Sequence, residues 1–356
     1  MDSSDLLALI RDDLARYLTD VGRGEDFEAN DGSLVNSLTA SLMEPQPREL
    51  GSVTAVDGSS RSLTYSYGVV SLASVAAASN KRPVVGIYPT FLGSPSLPLR
   101  APFIAVASSS PKRGEGIERY LSPYMDRTPS GKVLDSLAEP EVVESLLRAS
   151  LESVALGVVN DQLVLVDGPL LPSYVRLPEE DRSLINRTRL RYLDSKKVGV
   201  VKRLEKSTVL RSALSGVREE TIRVMGLDPT KFASDQALLL HWARFCLQPP
   251  YSTTVVGPVE REEYGTKVYS YYLLRPYHPF VPRFSLLRVE SLIPSKDPVD
   301  IVAAMPLTGD GVPSVLALAD RVAKAVSLHL ERHVTSTLEE TGLQLSYSSA
   351  LEVRVP

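Results

Sequence analysis

The chain has 356 residues, a formal net charge of −4 and 43% hydrophobic residues, which fits one large globular domain or a core with sizeable insertions. The single cysteine, Cys246, excludes a disulfide framework and any multi-cysteine zinc site. The acidic balance gives no general attraction for nucleic acid, no apolar run approaches the roughly 20 residues that span a bilayer, and the polar N-terminus is unlike a signal peptide, so a soluble cytoplasmic protein is expected.

Taken in order, residues 1–50 read as an N-terminal helical segment. Leu6, Leu9, Ile10, Leu14 and Tyr17 recur at helical spacing within Asp5–Thr19, which suits a packing or dimer element. Glu25–Leu50 is polar and turn-rich. A short apolar strand is expected at Val53–Val56, ending in Asp57, Gly58 and two serines. Ser62–Ala78, with Leu63, Tyr65 and Tyr67 alternating with polar residues, reads as a strand paired with it, and Val84–Tyr88 as a third. Pro89–Lys132 is rich in Pro, Ser and Gly; it reads as an inserted loop or flap with a short strand at Phe103–Val106, and such long loops are usually functional.

Pro140–Val159 is a helix with Val143, Leu146, Leu147, Leu151 and Val154 on one face. It leads to a second strand that ends in Asp-Gly, Leu163-Val-Leu-Val-Asp167. Further strands are expected at Val198–Val201, Thr253–Val256, Lys267–Leu274 and Phe284–Val289. Helices are expected at Asp235–Cys246 and Pro313–His333, leaving a C-terminal tail over 334–356. Early antiparallel strands followed by helix–strand crossovers give an α/β fold: a mixed sheet flanked by helices, in one domain over 51–333. Asp57 on the first strand and Asp167 after the first long helix is the arrangement of ribonuclease H-like folds.

The two aspartates carry the chemistry. Hard divalent cations take carboxylate oxygens, and a pair of such ions can clamp both the attacking and leaving oxygens of a phosphoryl group. The competing reading is that each Asp-Gly is a turn at a strand end. Glu152, on the helix before Asp167, can point back at the strand ends; Glu144, Arg148 and Glu152 also form an ordinary i, i+4 surface stripe. Lys202 follows a buried strand and could steady phosphate charge. Between Arg182 and Arg211 ten basic residues face only two acidic ones, and this segregation suits a phosphate backbone. Within it, Arg187, Arg189, Arg191, Lys202, Arg203 and Lys206 are the expected DNA contacts. His329 and His333 match neither zinc-protease order and read as a helix surface. No Walker or dinucleotide glycine loop is present.

This ordered set resembles the NurA nuclease family of archaeal and bacterial DNA-end-processing enzymes. The likeness rests on Val56-Asp-Gly-Ser59, Arg148–Ala155 around Glu152, Leu165-Val-Asp-Gly-Pro-Leu170, Val200-Val-Lys-Arg203 with Ser207-Thr208, Asp235, the Arg288-x-Glu290 strand and Gly311-Val-Pro-Ser-Val-Leu316 followed by Ala319-Asp320. It implies a ribonuclease H-like core, a homodimer and a nuclease dependent on manganese or magnesium, two ions per site. Asp57, Glu152, Asp167 and Asp320 would hold the ions and Lys202 would contact phosphate. It also implies 5′-to-3′ exonuclease and single-strand endonuclease activity in end resection at double-strand breaks, for homologous recombination and repair, with the HerA hexameric ATPase as partner. Two positions depart from the family pattern. Val312 stands where it usually has tyrosine, and Asp320 where it usually has histidine, although aspartate also ligates hard cations. These departures keep open a non-catalytic relative that binds HerA or DNA. An actin-like phosphotransferase is a third reading, without a glycine-rich phosphate loop to back it.

Overall fold

The structure is a computed structural model that describes residues 34–46, 51–65, 68–91, 93–108, 118–134, 139–174 and 176–346. The helix expected over Asp5–Thr19 lies outside these residues. The chain forms two compact units, one from Arg48–Val200 with Ala304–Pro356, the other from Met1–Pro47 with Val201–Ala303. No helix among the described residues is long and apolar enough to cross a membrane.

The first unit holds both expected aspartate motifs. Strand β2 (Val53–Tyr65) and strand β3 (Gly68–Ser79) pair antiparallel from Thr54↔Ser79 to Tyr65↔Gly68. The first strand is therefore much longer than Val53–Val56, and Asp57 lies within it instead of ending it. Leu63 and Tyr65 sit on this same strand, and the hairpin partner begins at Gly68. Strand β4 (Gly86–Tyr88) pairs with one end of β3, and β5 (Ile104–Ser108) with the other. The Pro89–Lys132 stretch is thus tied to the sheet through β5.

Helix α1 (Pro140–Val158) opens on a proline, whose missing N–H is harmless in a first turn, and on Glu141, which suits the positive helix end. Its buried face includes Val143, Leu146, Leu147, Leu151 and Ala155. Strand β6 (Leu163–Asp167) follows, parallel to β2 in the register Val53↔Leu163 to Val56↔Val166. After helix α2 (Glu179–Leu190), strand β7 (Lys197–Val201) lies parallel to β6. The order across this unit is β7-β6-β2-β3-β4, the mixed sheet expected from the sequence.

In the other unit, strands β1 (Leu34–Met43), β8 (Thr254–Glu263), β9 (Thr266–His278) and β10 (Val281–Ser291) form an antiparallel run. A strand at Leu34–Met43 was not legible in a polar stretch. Helices α3 (Val209–Gly216), α4 (Arg218–Met225), α5 (Asp235–Phe245) and α6 (Asp297–Ala304) complete it. Leu210, Leu214, Leu238 and Trp242 pack with Val256, Tyr272 and Leu274 in its core. A buried polar network runs through it. Asp235 accepts from Ser207 Oγ (2.5 Å), the Arg211 backbone N–H (2.8 Å) and Tyr272 Oη (3.0 Å). Arg288 donates to Ser207 Oγ (2.8 Å) and pairs with Glu290 (2.9 Å), which also takes Arg261 (2.7 Å). Burial pushes the Tyr272 phenol well above its ordinary pKa, so it stays a donor. Asp235, Arg288 and Glu290 are thus braces of this unit.

The last helix among the described residues, α7 (Ser314–Glu340), runs past His333 and closes the first unit. Gly311, at φ 83°, makes the turn before it, with its N–H on Thr308 O at 2.9 Å. Ala319 and Ala323 let α7 sit close to the sheet, where Ser74 Oγ donates to Ala323 O at 2.9 Å.

Candidate metal centre

Side chains alternate along a strand, and on β2 the alternation separates two helices. Ser59 meets Ser327 (2.9 Å) and Arg61 meets Glu331 (3.0 Å), both on α7. Ser60 and Ser62 instead donate to Glu144 on α1, at 2.7 and 2.8 Å. Odd residues therefore face α7 and even residues face α1. Asp57 lies on the α7 face and Gly58 on the α1 face.

The parallel register carries Asp57 beside Asp167 at the point where β6 ends. Beyond it, Gly168 at φ 93° turns the chain, a conformation glycine adopts without strain. The turn lies close over β7: a Cβ on Gly199 would meet Leu170 N at 2.8 Å and Gly168 O at 2.9 Å. From α7, Asp320 completes the group. Asp57, Asp167 and Asp320 each offer one oxygen, and these atoms all lie within 4.8 Å of one another. Asp57 is buried and the other two are half-buried. Three carboxylate oxygens with no nitrogen or sulfur donor suit a hard dication.

Glu152 does not join this group. It projects from α1 toward the opposite face, and a Cβ on Gly58 would meet its Oε1 at 2.6 Å. Gly58 is thus the space that lets this carboxylate lie against β2. Glu152 pairs with Arg189 (3.6 Å) and Arg148 (3.7 Å). Arg189, expected as a DNA contact, is 1% exposed. Its Nε donates to Leu170 O at 2.9 Å and its Nη1 to Ser153 Oγ at 3.4 Å. It is an internal brace between the turn after Asp167 and helix α1. Arg187 and Arg191 are exposed. Lys202 directly follows β7, half-buried, in the other unit, where Arg203 and Lys206 are exposed. Val312 sits in the turn before α7, its N–H on Thr308 Oγ1 at 3.3 Å.

Sequence reasoning missed Lys324. Its Nζ lies 2.8 and 2.9 Å from the two oxygens of Asp320, one helical turn away. The i, i+4 spacing from Asp320 was the available signal. An ion held by Asp320 competes with this ammonium. Exposed pairs are worth up to about 1 kcal/mol, so Lys324→Met is expected to tighten manganese binding by up to about fivefold, read by calorimetric titration.

The profile of the NurA domain matches residues 51–325. The chain belongs to the NurA domain family. No curated protein matches it. Among solved structures, the NurA nuclease from Sulfolobus solfataricus is 11% identical and covers 96% of this chain and 98% of its own, with a TM-score of 0.50. A NurA crystallised with manganese is 10% identical over 93% of this chain and 98% of its own, with a TM-score of 0.45. The first of these likenesses extends to the fold of this NurA-domain chain. The NurA match spans Asp57, Asp167 and Asp320 together, so Asp320 lies inside the family domain and beside the other two.

Proposed function

We propose that this chain is a divalent-metal-dependent deoxyribonuclease of the NurA type. The observation that carries the reading is the convergence of Asp57, Asp167 and Asp320 in a NurA domain. The strand order β7-β6-β2-β3-β4, with aspartates on the adjacent β2 and β6, supports a ribonuclease H-like core.

Asp57, Asp167 and Asp320 would hold one or two manganese or magnesium ions. Such ions, when bound, supply an activated water and neutralise charge on the scissile phosphate. The chain's own part is placement. Paired strands fix Asp57 and Asp167, and α7 fixes Asp320, so little reorganisation accompanies loading. Glu152 stands behind Asp57 on the other face of β2, its charge balanced by Arg189 and Arg148. Lys202 contacts phosphate, and exposed Arg187, Arg191, Arg203 and Lys206 guide the strand. The family resemblance extends the proposal to 5′-to-3′ digestion and single-strand endonuclease action in end resection, by a homodimer working with HerA.

A second reading, an adaptor that binds HerA or DNA without cutting, is favoured by Val312 and by the ammonium of Lys324 on Asp320. Digestion of end-labelled linear DNA separates the two. The nuclease releases label in manganese and none in EDTA. Intact DNA in manganese, with HerA present, would sink the nuclease and leave the adaptor.

A further inference from the structure

Helix α7 carries a second group of ligand atoms outside the aspartate cluster. His329 and His333 stand one turn apart, both exposed. Their Nε2 atoms are 3.1 Å apart, with ring centroids at 4.5 Å and planes at 89°. With both rings in the Nδ1–H tautomer, each Nε2 presents a lone pair. Phe91 holds the pair from the side, edge-on to His329 at 4.4 Å and stacked with His333 at 6.2 Å. Rings already gathered lose less freedom when a ligand bridges them.

The spacing of the two nitrogens is that of neighbouring ligands on one ion. Zinc–imidazole bonds of about 2.0–2.1 Å place two nitrogens about 2.9 Å apart at a right angle and about 3.4 Å apart at the tetrahedral angle. The observed 3.1 Å lies between these. We propose that His329 and His333 chelate a late transition-metal dication, Zn²⁺, Ni²⁺ or Cu²⁺, with water in the remaining positions. Imidazole suits these ions, whereas carboxylate clusters suit magnesium and manganese. The two places are distinct: His329 lies nine positions after Asp320 on the helix, about 13.5 Å along the axis at 1.5 Å per residue and on the opposite flank. Among the described residues the only group of three metal-ligating side chains is Asp57, Asp167 and Asp320. The histidine site therefore offers two protein ligands and binds less tightly than a site with three or four.

The test is a calorimetric titration of untagged, chelator-stripped full-length protein with nickel, in saturating magnesium to occupy hard-ion sites. Wild type is expected to bind one equivalent per chain, lost in His329→Ala and in His333→Ala and kept in Asp57→Asn. Both histidines are exposed, so the variants are expected to fold as wild type, which circular dichroism checks. Equal nickel binding by wild type and both histidine variants overturns the proposal. Loss in Asp57→Asn alone places the nickel in the aspartate cluster and also overturns it. Neither outcome depends on whether the chain cuts DNA.

Discussion

Asp57→Asn is expected to abolish DNA cleavage and leave the fold in place. The amide has the shape of the carboxylate, and its oxygen can still accept from the Gly58 N–H, which lies 2.8 Å from Asp57 Oδ1. What is lost is one of the three negative charges that converge there. Removing an outer partner of a metal ligand costs about 10–100-fold in metal affinity or activity, so loss of a ligand itself is expected to exceed about 100-fold. Stability goes the other way. Three like charges within a few ångströms repel, and neutralising one relieves the repulsion. The urea midpoint of Asp57→Asn should equal or exceed that of wild type, while release of end label falls to background. A variant that unfolds earlier than wild type would mean that Asp57 is a structural residue.

Arg189→Met is expected to act on stability first. The guanidinium is 1% exposed and serves three acceptors: Leu170 O, Ser153 Oγ and the Glu152 carboxylate. Methionine fills much of the volume but donates nothing. Leu170 O loses its buried donor and Glu152 its inner counter-charge. Breaking a buried pair by removing one partner costs about 3–5 kcal/mol; Glu152 keeps 16% side-chain exposure and its neighbour Arg148, so about 3 kcal/mol is expected here. The urea midpoint should fall accordingly. Because Leu170 lies just past Asp167 and Gly168, the same change loosens one end of the aspartate cluster, and manganese affinity should fall even under conditions where the variant is folded. A midpoint within experimental error of wild type would show that Arg189 is not the brace described.

The contrast between these two residues marks how far the sequence could be read. Asp57 and Asp167 were legible because buried strands announce themselves as short apolar runs, and a carboxylate beside one is conspicuous. Their two Asp-Gly steps looked alike and are not. Gly168 turns the chain at positive φ, whereas Gly58 stays in a strand that runs on to Tyr65 and is small so that Glu152 can lie against it. Nothing local separates these roles, since the second depends on a helix about a hundred residues away in sequence. Asp320 entered through family resemblance, and the structure places it on the same face as Asp57, as strand alternation requires. Glu152 was read on the right helix, and the structure sets its carboxylate against Gly58 beside Arg189 and Arg148, a placement that period and spacing alone do not give. Arg189 was read with a run of basic residues, yet it lies on the inner side of α2. A helix that presents Arg187 and Arg191 to solvent turns the residue between them inward. Strand β1 was hidden because its sequence, Leu-Val-Asn-Ser-Leu-Thr-Ala-Ser-Leu-Met, mixes polar and apolar residues without a clean period of two.

The most direct measurement is manganese binding, followed by electron paramagnetic resonance of the free ion, in wild type, Asp167→Asn and Asp320→Asn. If the three aspartates form one metal centre, both variants lose the site that wild type shows, although the two residues stand on a strand and a helix far apart in sequence. Wild-type binding retained in either variant would contradict a shared centre and remove the basis for assigning cleavage to this cluster.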